Sequence, residues 1–257
     1  MSSRVDAPRQ PRLRAGNLAL ALIHAGQAAL ILVLTNDFGL PVTESFLDSA
    51  PGTAPPPRQE ELFELPLGPA VAAFLLLAAL DHLIVALPGT VRWYERNLAR
   101  EINPARWLEY SLSASLMMVL ISMLTGISDV VAVLAIFGLT AAMILFGWLM
   151  ERFNDRQGDV NWLPFVFGSI VGVIPWVGVG IYIVGSEIEG DGPPGFVYGI
   201  FASLLVLFSS FAVNQWLQYA KIGRWRSYLF GEWGYLVLSL TAKTALAWQV
   251  FANVLLD

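Results

Sequence analysis

Seven stretches of this chain are apolar for about the length needed to cross a membrane, and no other feature constrains its fold as strongly. They run over about 17–35, 67–88, 106–127, 128–150, 161–184, 195–219 and 231–256, each near the ~20 residues that a helix needs to span the hydrocarbon core. In lipid, backbone N–H and C=O groups must be satisfied within the segment, so runs of this length are helices. The chain is 56% hydrophobic and 14% charged, where a soluble domain is about 25% charged. The expected fold is therefore an all-α membrane protein, a single seven-transmembrane-helix domain over 1–257 with a long Pro-rich outer loop at 36–66. The first span follows four arginines, as a signal peptide could. Its apolar core is too long and no small-x-small cleavage site follows, so it reads as a retained helix. The chain has no cysteine, which excludes disulfides, thiolate metal sites and cysteine nucleophiles.

Charge orients the bundle. Arg4, Arg9, Arg12 and Arg14 precede the first span, and Arg92, Arg96, Arg100 and Arg106 lie between the second and the base of the third. Arg152 and Arg156 follow the fourth span, and Lys221, Arg224 and Arg226 the sixth. The opposite side has Arg58 alone, in a loop with Asp37, Glu44, Asp48, Glu60, Glu61 and Glu64. By the positive-inside rule, the N-terminus is cytoplasmic and the C-terminus outside, in a multi-pass protein of the cell membrane.

One basic residue remains, and it lies at the most expensive depth a span offers. Lys243 has 12 residues of the last apolar run before it and 13 after, which puts it roughly 18 Å from either end. A lysine at that depth costs about 2.5–3.5 kcal/mol on insertion scales. A carboxylate is the expected partner, because either charge alone would neutralise. The third span, "RWLEYSLSASLMMVL", places Arg106, Glu109 and Ser113 on one face, and Leu120 returns to that face. Two readings stay open on these residues: an ion pair without chemistry, or a lysine that is not a free amine. Desolvated lysines form Schiff bases with aldehydes. The span limits leave Glu109 about 11 Å inward of mid-span, a gap that a long lysine and a helix start at 101–103 would close.

The other polar groups of the spans gather on the inner side: His24, Asp81, His82, Asn214 and Gln215. Two histidines and nearby carboxylates raise a rival reading, a seven-helix metallohydrolase. Zinc hydrolysis wants three protein ligands plus water. The set here is thin and leaves Lys243 unexplained, so no metal is expected.

The lysine in "SLTAK", the preceding "WGYLVLSL", the tail "LTAKTALAWQVF" and "RWLEY" on the third span resemble the microbial rhodopsins. The departures point to one branch. Glu109, Ser113 and Leu120 stand where the proton pumps have Asp, Thr and Asp, and Ser239 stands where they have an aspartate four residues before the lysine. Phe208, Phe211 and Ala212 replace a tryptophan, tyrosine and proline. The charge count also inverts the pumps' topology. Glu–Ser–Leu on the third span, with one counterion and a cytoplasmic N-terminus, is similar to the heliorhodopsins.

That resemblance implies all-trans retinal on Lys243 as a protonated Schiff base, with Glu109 as counterion and Ser113 and Ser239 tuning the pair. It implies a pocket including Tyr110, Met143, Phe208, Gln215 and Trp248. It also implies a proton-accepting polar cluster of His24, His82, Asp81 and Asn103, and a short β-hairpin over the outer surface. A homodimer through the fourth and fifth spans is implied too, where Gly138 and Ala142, and Gly168 and Gly172, have small-xxx-small spacing. The expected function is light sensing with a slow photocycle, no net ion transport, no enzymatic activity and an unknown cytoplasmic or membrane partner. The alternative is a light-driven proton transporter.

Overall fold

The computed structural model describes residues 9–47, 50, 52, 58–154 and 158–256; Arg4, Asp48, Arg156 and Asp257 lie outside them. Seven of its helices are long and apolar enough to cross a membrane: α1 (Pro11–Leu34), α2 (Leu67–Ala86), α4 (Pro104–Leu124), α5 (Val130–Phe153), α6 (Leu163–Glu189), α7 (Gly195–Tyr219) and α8 (Tyr228–Val250). A short helix, α3 (Val91–Leu98), joins α2 to α4, and a π-helical turn (Phe251–Leu255) continues α8.

The helix ends follow local chemistry. Pro11, Pro104 and Pro164 open α1, α4 and α6, where a missing N–H costs nothing. The Asp129 carboxylate caps α5 by accepting from the N–H groups of Val131 and Ala132, each at 3.0 Å. Gly126, at φ +99°, closes the tight turn between α4 and α5, a conformation that favours glycine. Several helices outrun their apolar stretches. α1 starts at Pro11, so Arg14 is helical, and its Nε donates to the Ala86 carbonyl at the end of α2 (2.8 Å). Hydropathy marks where lipid ends, whereas backbone bonding continues as far as caps allow.

α3 is amphipathic. Val91, Tyr94 and Leu98 are buried, and Tyr94 and Leu98 pack with Leu13, Leu20, Tyr228 and Leu236 at the end of the bundle where α1 begins, here called the amino end. Past α1, strands β1 (Gly39–Glu44) and β2 (Glu60–Pro66) form an antiparallel hairpin. Leu40 and Val42 of β1 are buried in the main core, while β2 is largely exposed. Thr43 ties the hairpin to the α4–α5 turn, its N–H donating to the Ser128 carbonyl (2.9 Å).

Packing differs along the bundle. Toward the hairpin the interior is apolar, with Phe74, Met117, Met118, Leu120, Leu204 and Leu246 fully enclosed. Toward the amino end it holds Arg106, Glu151, Glu232, Asn103 and His82. Along the outside of α6, Ile170, Val173, Val177 and Ile181 are exposed, the face that lipid covers. Gly168 and Gly172 serve contact within the bundle: a Cβ on Gly172 would come 2.2 Å from the Met143 sulfur, and one on Gly168 3.0 Å from Phe146 Cβ. A Cβ on Gly138 would meet open space.

Candidate functional site

Lys243 on α8 and Glu109 on α4 meet in the interior. Lys243 Nζ lies 3.3 Å from Glu109 Oε1 and donates to Oε2 at 3.4 Å. It also donates to Ser239 Oγ, one turn earlier on its own helix, at 3.0 Å. The pair meets although α4 begins at Pro104, with Asn103 as its N-cap, and not at the expected 101–103. Helix side chains lean toward the N-terminus of their helix, and that of Lys243 lies back against Ser239, toward the amino end. Both partners are nearly inaccessible, at 4% and 6% of side-chain surface, so the pair is held in a low-dielectric setting where neither charge is stable alone. Ser113 is fully buried, and its hydroxyl has no hydrogen-bond partner among the described residues.

A cavity opens from Lys243 and runs between α4, α5, α6, α7 and α8. Its walls are mostly apolar and aromatic, including Trp107, Met143, Phe165, Phe208, Phe211 and Tyr235. Four of the five pocket residues expected from the sequence line it: Tyr110, Met143, Phe208 and Gln215. Gln215 is pinned there by donating to the Gly147 carbonyl (2.9 Å). Trp248 is placed elsewhere, edge-on to Phe251 on the hairpin side of Lys243. Gly147 gives the cavity room, since a Cβ there would stand 2.5 Å from the Trp107 ring.

Toward the amino end a network surrounds Arg106. Its guanidinium donates to Glu151 Oε1 on α5 (2.5 Å) and to Glu232 Oε1 on α8. Glu151 also accepts from Trp107 Nε1 (2.6 Å), the Asn103 N–H (2.9 Å) and the Tyr228 hydroxyl (3.2 Å). Asn103 Nδ2 donates to Glu232 Oε2 at 2.8 Å. The guanidinium also sits over Tyr235, 3.8 Å from its ring centroid. Asn103 thus belongs first to this network. A small cavity joins it to the others, lined by Asp81, His82, Asn103, Arg106, Tyr110 and Glu232. Tyr94 of α3, outside the spans, lines the same cavity. Burial raises its phenol above the ordinary value and Glu232 adds to that, while a hydrogen bond with Asn17 opposes it.

His24 stacks on His82, with ring centroids 5.8 Å apart and planes within 6°. His82 Nδ1 lies 2.8 Å from Asn17 Oδ1. An amide oxygen only accepts, so that nitrogen carries a hydrogen. His24 is fully buried, with neither nitrogen hydrogen-bonded among the described residues. No group of three or more potential metal ligands occurs among the described residues.

Glu151 and Glu232 did not stand out in the sequence. Glu151 falls just past an apolar run and beside Arg152, and Glu232 sits at the start of the last run, so both look like interfacial charges. The signal that could have found them is Arg106, which needs a carboxylate once it is drawn inside.

Seven membrane-length helices around a lysine–carboxylate pair, with a largely apolar cavity at the lysine, define a rhodopsin-type membrane protein. The fold agrees with that of the light-driven proton pump LR (Mac) from Leptosphaeria maculans, at TM-score 0.67, with 12% identity over 96% of each chain. The heliorhodopsin family matches residues 13–255, nearly the whole chain, and the chain belongs to that family. No curated protein matches it. Heliorhodopsins are retinal-binding, light-sensing membrane proteins of photoreceptor type. The residues present fit such a chromophore: a largely apolar cavity lined by a buried amine and by aromatic side chains.

Proposed function

We propose that this protein is a light sensor that moves a proton locally and transports no net ion. Lys243 holds all-trans retinal, which supplies light absorption and a change of shape. Glu109 is the counterion. Ser239 orients the nitrogen, and Tyr110, Met143, Phe208 and Gln215 shape the surrounding pocket. The inner cluster of His24, His82, Asp81 and Asn103 receives the proton and returns it.

One observation carries this reading: the buried ionisable groups around Lys243 lie toward the amino end, while the opposite half is packed mainly with apolar side chains around Leu120. A transporter needs groups that bind its ion on both sides of the switch. The competing reading, a proton transporter like the fungal protein, would need a second polar route through that apolar half.

The charge distribution supports a cytoplasmic N-terminus, so the inner cluster faces the cell interior. There Trp107 links the chromophore cavity to Glu151, and Glu151 to Tyr228. Tyr228 also lines a surface cleft with Gln10, Glu95 and Glu101, a place where a cytoplasmic partner would sense the cycle. The homodimer through α5 and α6 relies on the face carrying Gly138, since Gly168 and Gly172 are used within the bundle. Adding all-trans retinal to the purified apoprotein tests the reading. A visible band that bleaches in light and recovers in the dark supports it, and no band removes it.

A further inference from the structure

The Lys243 nitrogen has three close neighbours, and they act differently. Ser239 Oγ, at 3.0 Å, and Glu109 Oε2, at 3.4 Å, accept hydrogen bonds, and Glu109 Oε1 lies 3.3 Å away as an ion-pair contact. The third is the ring of Tyr110, whose centroid lies 4.8 Å from Nζ. That is inside the ~6 Å range over which an aromatic face attracts a cation. The ring is fixed at two points. Its hydroxyl donates to the Tyr235 carbonyl at 3.0 Å, and Phe211 packs against it edge-to-face, with centroids 5.4 Å apart at 87°.

The difference matters once the amine is joined to an aldehyde. An ammonium has three N–H groups, enough for Ser239 and both oxygens of Glu109. In the condensation the aldehyde oxygen leaves as water with two of those hydrogens, and the protonated product keeps one N–H. One hydrogen serves one acceptor well, so Glu109 and Ser239 compete for it. The ring needs no hydrogen, because its quadrupole attracts the charge itself.

We propose that Tyr110 is a charge-stabilising partner of Lys243, its ring face holding the nitrogen in the protonated form alongside Glu109. The Tyr235 carbonyl and Phe211 keep that face in place. This deepens the reading of Lys243 as the chromophore's lysine, yet the contact already exists in the free amine and can be tested there. The other groups acting on this nitrogen are Glu109 from α4, His24 from α1, and Asp81 and His82 from α2. A change at position 110 leaves all four in the chain.

The chain has two lysines, Lys221 and Lys243, so NMR of lysine-labelled apoprotein, assigned with Lys221→Arg, reads the Lys243 titration directly. Tyr110→Phe keeps the ring and should titrate close to wild type. Tyr110→Leu should weaken proton binding about tenfold, a fall of about one pH unit in the midpoint. Should the leucine variant not fold, phenylalanines of increasing fluorination at position 110 keep the shape and drain the ring face. The midpoint should fall stepwise along that series. In the retinal-bound protein, the alkaline loss of the visible band should follow the same order. A leucine variant or a fluorinated series titrating like wild type overturns the proposal. So does a Phe variant that falls as far as Leu, which would assign the effect to the hydroxyl. If wild type forms no visible band with retinal, the chromophore reading fails, and the apoprotein titration still judges the ring.

Discussion

The two halves of this bundle solve the same problem in opposite ways. In the half toward the hairpin, helices meet through enclosed methionine, leucine and phenylalanine side chains. The few polar pairs there are neutral, such as Gln27 Nε2 donating to Thr244 Oγ1 (3.1 Å) and Gln249 Nε2 to Ser203 Oγ (3.1 Å). In the amino half the helices meet through charge, with one guanidinium joining α4 to α5 and α8. A buried ionic network is a poor source of stability, since apolar residues of the same volume often do as well or better. Its presence on one side of Lys243, with an apolar core on the other, is what the proposed sensor reading rests on.

The contrast can be broken at its centre first. Lys243→Ala should abolish the visible band formed with retinal while the protein remains folded, and absorption spectra of the purified variant check this. A retained band would place the linkage elsewhere. Arg106→Ala comes next in size. It strands the Glu151 and Glu232 carboxylates and should cost about 3–5 kcal/mol, read as a large fall in thermal stability. Adding Glu151→Gln and Glu232→Gln should recover most of that loss. A triple variant no better than the single would mean that packing, rather than charge, holds the amino half.

Glu109→Gln should leave the fold intact and change the chromophore. Its visible band at neutral pH is lost to the ultraviolet, or displaced to the red where the nitrogen stays protonated. An unchanged spectrum would pass the counterion role to Asp81. The smallest effect belongs to the apolar half. Gln27→Leu removes one neutral hydrogen bond, worth about 0.5–1.5 kcal/mol, and should leave the absorption maximum where it was. A large spectral shift in that variant would show that the far side is also coupled to the chromophore.

The sequence made the spans, Lys243 and its carboxylate legible because lipid leaves few alternatives. An apolar run of that length is a helix, and a charge inside it needs a partner. It also showed that polar side chains favour one side of Lys243. The Arg106 network was hidden for a physical reason. Glu151 and Glu232 sit where two apolar runs end and begin, and only the packing of α4, α5 and α8 turns three boundary charges inward. α3 was missed because eight residues are too few for hydropathy, although Val91, Tyr94 and Leu98 at helical spacing were readable. Gly231 and Gly234 carried no signal either. Each lies where a Cβ would strike an amide side chain of α7, Gln218 at 1.9 Å and Asn214 at 2.4 Å, and that closeness exists only once α7 and α8 pack.

In the proposed cycle, light moves charge within one half of the bundle and none across it. Electrical recording on liposomes containing the retinal-bound protein, under continuous illumination, measures this most directly. A transient displacement at light onset and its reversal in the dark are expected, with no stationary current or lasting pH change. A steady photocurrent that persists over many turnovers would contradict it, because sustained flow requires an ion path through the apolar half around Leu120.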